Sequence, residues 1–165
     1  MIELELVGVR VELPANQPIV LLKEKAGTRY LPIWIGAVEA TAIAFALQGV
    51  ETPRPLTHDL FVDVLTTVGA RLEAVHVTEL RDGTFFAELH LNVAGHTYTV
   101  SARPSDAIAL ASRLEDVPIF ATEDVLNEAG LEIDENEERE VEAEETVRQF
   151  REFLDHVSAE DFRET

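Results

Sequence analysis

The chain has 165 residues, no cysteine, 46% hydrophobic residues and a formal net charge of −19. That length supports one domain with an appendage, and the apolar content excludes a disordered chain. The lack of cysteine excludes disulfides, thiol nucleophiles and Cys-ligated zinc, while the acidic balance opposes a broad nucleic-acid surface, which needs Lys and Arg against phosphate.

The N-terminal Met1-Ile2-Glu3-Leu4-Glu5 has no basic start and no apolar core of a secretory signal. No apolar run approaches the roughly 20 residues of a membrane helix, so a cytoplasmic protein without a membrane partner is expected. Ile2, Leu4 and Leu6 alternate as in a strand, and Val7, Val9, Val11 and Leu13 alternate in the opposite phase. A phase flip inside one strand calls for a bulge near Gly8. After the turn Pro14-Ala15-Asn16-Gln17-Pro18, strands are expected at 19–22 and 29–35, separated by the turn Lys25-Ala26-Gly27-Thr28. The Ala-rich stretch 38–47 reads as a buried helix ended by Gly49. Leu60, Val64, Leu65 and Val68 then fall at helical spacing, with Gly69 as the stop. Three strands follow at about 71–80, 84–93 and 96–101, and helices at 104–113 and 122–129.

The second series repeats the first. Leu4-Glu5-x-Val7-x-Val9 returns as Leu72-Glu73-x-Val75-x-Val77, and Ala26-Gly27-x-x-Tyr30 as Ala94-Gly95-x-x-Tyr98. Ala42-Ile43-Ala44-x-Ala46 returns as Ala107-Ile108-Ala109-x-Ala111, and Asp63-Val64-Leu65-x-x-x-Gly69 as Asp124-Val125-Leu126-x-x-x-Gly130. Four matches in order predict an α+β domain over residues 1–131, made of duplicated β3α2 units at about 2–69 and 70–130. Its mainly antiparallel sheet would be covered by helices. Residues 132–165 hold 14 acidic and 4 basic side chains. They read as an acidic linker and an amphipathic helix, with Ala143, Val147, Phe150, Leu154 and Val157 on one stripe. Sheet edges that need covering point to a homo-oligomer, most simply a dimer.

Two polar segments differ between the repeats. Arg54-Pro55-Leu56-Thr57-His58-Asp59-Leu60 precedes a helix that Thr57 can cap. His58 there offers a group titrating near neutral pH beside a carboxylate. Arg103-Pro104-Ser105-Asp106 opens the second Ala-rich helix, where the first-turn N–H groups can serve either a cap or a phosphate. Glu39 stands at the start of an otherwise apolar helix. His76, His90 and His96 lack metal-ligand spacing along the chain, and no role is assigned to them. The residues alone name no reaction.

These segments, together with Leu31-Pro32-Ile33-Trp34-Ile35-Gly36 through Glu39-Ala40 and Ala102-Arg103-Pro104-Ser105-Asp106-Ala107-Ile108-Ala109-Leu110-Ala111, resemble the bifunctional nuclease family. The resemblance spans about residues 1–130 and implies hydrolysis of RNA and DNA, with nucleic acid as a weakly bound substrate. Family members often carry Asp where Ser101 stands here. Under that resemblance, Asp59, Asp106 and Glu39 would hold a divalent cation (Mg or Mn). His58 would act as general base or acid, and Arg54, Arg103 and Ser105 would bind the phosphate. Asp63 is a weaker candidate, because its counterpart Asp124 points to a shared structural role. The rival reading is a non-enzymatic ligand-binding or scaffold protein in which the same residues serve as caps and subunit contacts. Convergence of Glu39, His58, Asp59, Arg103 and Asp106 on one open cleft would favour the enzyme, and scattering or burial in mutual salt bridges would favour the scaffold.

Overall fold

The computed structural model describes residues 1–12 and 14–133. The expected tail helix therefore lies outside the described residues. The first half of the chain runs β1 (Ile2–Glu12), β2 (Gln17–Glu24), β3 (Arg29–Trp34), α1 (Ala37–Gln48) and α2 (Thr57–Thr67). The second runs β4 (Ala70–Arg81), β5 (Thr84–Val93), β6 (His96–Ala102), α3 (Pro104–Ala111), β7 (Ile119–Ala121), α4 (Glu123–Ala129) and β8 (Leu131–Glu132). Each half is thus a three-strand meander followed by two helices, and the second half adds the short strands β7 and β8.

All eight strands join one sheet in the order β6-β5-β4-β7-β1-β2-β3-β8. The meanders are antiparallel, as short turns require. β7 lies between them, antiparallel to β1 and parallel to β4, and so joins the two halves into one sheet. The expected bulge is present: the β1–β2 register shifts between Leu6 and Gly8. It returns Val9 to the same buried core as Leu4. The tight turn between β4 and β5 has Asp82 and Gly83 at φ 50° and 75°, the pair of positive values that a two-residue hairpin demands.

Leu22, Leu31, Ile33, Ile43, Ile108 and Leu110 are fully buried and anchor the core. α1 and α3 pack on each other, α1 over β1 and β2 and α3 over β4 and β5. Ala40, Ala44, Ala107 and Ala111 in that layer are buried and small, which lets the two helices approach closely. α2 is different: it has no fully buried residue, and Leu60, Phe61, Val64 and Val68 are exposed. It leans on α3 and β4 at the edge of the helical layer. Among the described residues, no helix is long and apolar enough to cross a membrane.

Candidate active site

α2 and α3 place their N-terminal ends side by side. α3 begins as its sequence dictates, with Arg103 as the extended cap residue and Pro104 in the first turn. α2 does not begin as expected. Its cap residue is Leu56, and Thr57 is already helical. The capping falls to Asp59, whose Oδ2 accepts the Leu56 N–H at 2.9 Å. An acidic third residue can reach back this way, and the site profits from it, because Asp59 then fixes the turn that carries His58.

His58 and Asp106 meet across the two helices, with Nε2 2.9 Å from Oδ1. Arg103 donates to the same carboxylate, Nε to Oδ2 at 2.8 Å and Nη2 to Oδ1 at 3.2 Å. Its Nη1 also pairs with Glu39 Oε1 at 3.0 Å. Glu39 folds back over Gly36, where any Cβ would strike its carboxylate. Burial opposes ionisation of Asp106, but the hydrogen bonds from Arg103 and His58, with their charges, outweigh it and hold the carboxyl below its ordinary range. An ionised carboxylate only accepts, so His58 Nε2 carries a proton in this contact. The guanidinium of Arg103 is held chiefly by Asp106 and next by Glu39, which raises its already high pKa further. Its side chain stays 65% exposed.

These four residues line a cleft of about 660 Å³. The rest of its wall is mostly apolar, with Val38, Phe45, Leu56, Phe61, Leu89 and Leu110 among the lining residues. Asp59 stands behind the cleft. Arg113 donates to Asp59 Oδ1 at 2.7 Å, to the Ala42 carbonyl at 2.9 Å and to the Ala109 carbonyl at 2.8 Å. Burial again opposes ionisation of Asp59, and Arg113 and the Leu56 N–H overcome it, so its pKa is lowered.

The structure therefore brings together Glu39, His58, Arg103 and Asp106, and leaves three expected residues aside. Arg54 is exposed and does not line the cleft. Ser105 is buried within α3. Asp59 serves Arg113 and its own helix. The donor set at the cleft does not fit a divalent cation: Asp106 and Glu39 both bind Arg103, and Asp59 binds Arg113. Guanidinium groups already meet the charge of each of these carboxylates. Among the described residues, three potential ligands converge elsewhere, at His76, Glu88 and His90. Arg113 and this trio are what sequence reasoning missed. Arg113 carries no motif, and the trio is joined only by strand pairing.

The sequence profile of the bifunctional nuclease domain matches residues 20–134. The chain belongs to the bifunctional nuclease domain family. It is also 51% identical over 166 residues to an uncharacterized protein of Mycobacterium tuberculosis, covering 99% of each. Similarity extends to plants: it is 27% identical over 121 residues to Bifunctional nuclease 1 of Oryza sativa subsp. japonica. A second plant match, 27% over 126 residues, is Bifunctional nuclease 1 of Arabidopsis thaliana. These alignments cover 72% and 74% of this chain but only 36% and 38% of the plant proteins. The chain therefore corresponds to one part of those longer family members, and the profile match takes in every residue of the His58–Asp106–Arg103–Glu39 group.

Proposed function

We propose that this protein is a nuclease that hydrolyses phosphodiester bonds of RNA and DNA at the α2–α3 cleft. One observation carries the reading: His58 from one helix and Asp106 and Arg103 from the next meet at an open cleft within a nuclease-family domain. Asp106 holds the His58 ring and fixes its tautomer, so Nδ1 is the base. A water gives its proton to Nδ1 as its oxygen bonds to phosphorus. The bond to the leaving sugar oxygen breaks, and the imidazolium returns the proton to that oxygen. Arg103 faces the non-bridging oxygens and neutralises the charge that grows on them. Glu39 keeps Arg103 in place when an incoming phosphate competes for it.

Substrate binding is weak on this reading, because the whole chain carries −19 and the cleft offers one arginine. Cleavage should be slow, sequence-tolerant and weaker as salt rises. The test is an assay of rigorously purified protein on single-stranded RNA and DNA beside His58→Ala and Asp106→Asn. Loss of a positioned base lowers rates by roughly 10²–10⁴-fold. Equal trace cleavage by all three proteins would mark the activity as contamination and remove the proposal. A second reading is favoured by the apolar wall of the cleft: a small amphiphilic ligand whose anionic end meets Arg103. Saturable binding of such a ligand, without cleavage by any purified sample, would favour it.

The same proposal takes the protein to be cytoplasmic and a homo-oligomer, most simply a dimer. Exposed Leu60, Phe61 and Val64 on α2, with Val68 just after it, would supply the contact surface. A monomer by light scattering up to high concentration would exclude this.

A further inference from the structure

We propose that His76, Glu88 and His90 form a binding site for a zinc-class divalent transition metal, separate from the α2–α3 cleft. The three side chains share one face of the β4–β5 hairpin. His76 pairs directly with Glu88, and His90 follows Glu88 two residues later on the same face. Leu89, between them, lines the cleft. Alternation therefore puts Glu88 and His90 on the opposite side of the sheet, and the metal would take no part in His58 chemistry.

One nitrogen from each imidazole and one carboxylate oxygen lie within 4.8 Å of one another. A tetrahedral zinc with bonds of about 2.0–2.2 Å spaces its ligand atoms roughly 3.3–3.6 Å apart. One such edge already exists, since His90 Nε2 stands 3.3 Å from Glu88 Oε2. That contact is not a hydrogen bond: His90 Nε2 is shielded from solvent and has no hydrogen-bond partner. A buried ring nitrogen without a partner beside a carboxylate is unfavourable, and a cation between the two would satisfy both. The His76 and His90 rings lie close, with centroids 3.9 Å apart and planes tilted by 34°. Phe120 on β7 stands edge-on to His76 at 5.2 Å and closes one side with an apolar wall. Two imidazoles and one carboxylate suit zinc and its neighbours, not magnesium or calcium, which prefer oxygen.

The test uses the full chain, stripped with a chelator and dialysed, then titrated with Zn²⁺ by calorimetry and with Co²⁺ by visible absorption. Melting temperature is followed alongside. One Zn²⁺ per chain is expected, with a raised melting temperature and a Co²⁺ spectrum of low coordination number. Removing an outer-shell partner typically costs 10–100-fold in metal affinity, so removing a ligand in His76→Ala or His90→Ala should cost at least ~100-fold. His96→Ala, a control at the exposed β5–β6 turn, should bind as the wild type does. His90→Gln keeps a polar group and replaces His90→Ala if the latter does not melt cooperatively. Absence of stoichiometric Zn²⁺ binding by the wild type would overturn the proposal. Undiminished binding by the His76 and His90 variants would overturn it too, placing the metal on the many acidic side chains instead.

Discussion

Replacing Arg113 by Ala should be among the most damaging single changes to the helical layer, although Arg113 belongs to no motif. Its side chain is 9% exposed, and its guanidinium ties Asp59 of α2, the Ala42 carbonyl of α1 and the Ala109 carbonyl of α3. Ala109 sits in the last turn of α3, where carbonyls run out of helical partners. Hydrogen bonds to charged groups each contribute about 1.5–3 kcal/mol, and a buried acceptor left bare costs about 1–3 kcal/mol. Asp59 is 39% exposed, so water replaces part of its loss, and that contact counts for little. The two carbonyl contacts together then give a destabilisation of roughly 3 kcal/mol. At about 2–4 °C per kcal/mol for a chain of this size, the melting temperature should fall by roughly 10 °C. Arg113→Met keeps most of the buried stem and should lose nearly as much, because the polar contacts carry the effect. Arg113→Lys, with one compact ammonium in place of a planar fork, should fall between. Urea titrations and thermal melts at pH 7 give these numbers. A loss below about 1 kcal/mol in Arg113→Ala would refute the view that this side chain staples the three helices.

Acid should expose the same network. The carboxyls of Asp59 and Asp106 are both held below their ordinary value of 3.8. Depressed carboxylates contribute stability that is complete above the unfolded pKa and disappears as pH falls through the lower folded values. Unfolding free energy should therefore drop below about pH 4, and Asp59→Asn should flatten that drop in melts taken from pH 7 to pH 2.5. Gly130→Ala should cost about 1–3 kcal/mol for steric reasons, because a Cβ there would collide with the Leu126 carbonyl while φ is an ordinary −72°. Gly69→Ala meets open space but must hold φ at +76°, so relief by Asn, which tolerates that region, is expected at 69 and not at 130. Thermal melts of the four variants check both points.

That contrast shows what sequence can and cannot carry. Gly69 and Gly130 were matched as equivalents because both follow Val-Leu-x-x-x, yet they solve different backbone problems. The view that the two halves are copies rests on four spaced matches and the shared element order, and it stays a proposal. The meanders, the bulge at Gly8 and the long helices were legible because their periodicity runs over many residues. β7 was not: Ile119-Phe120-Ala121 is too short for alternation to register, and its place depends on two distant partners. At the site, His58, Asp106, Arg103 and Glu39 were legible as polar exceptions at helix starts. Their pairing was not, and the carboxylates expected on a cation turned out to bind arginines. The His76–Glu88–His90 trio stayed hidden because its spacing exists across a hairpin and not along the chain.

The place of β7 bears on how the protein is made. The first 67 residues can form β1, β2 and β3, but the inner edge of β1 has no partner until residues 119–121 exist. The β4 edge waits for the same three residues. On a ribosome adding about 5–20 residues per second, the first meander would stand with a bare edge for several seconds before its mate is synthesised. Closing the sheet then requires bringing together segments separated by more than a hundred residues, a slow kind of step. During that interval the growing chain is most exposed to pairing with a neighbour's edge in place of its own.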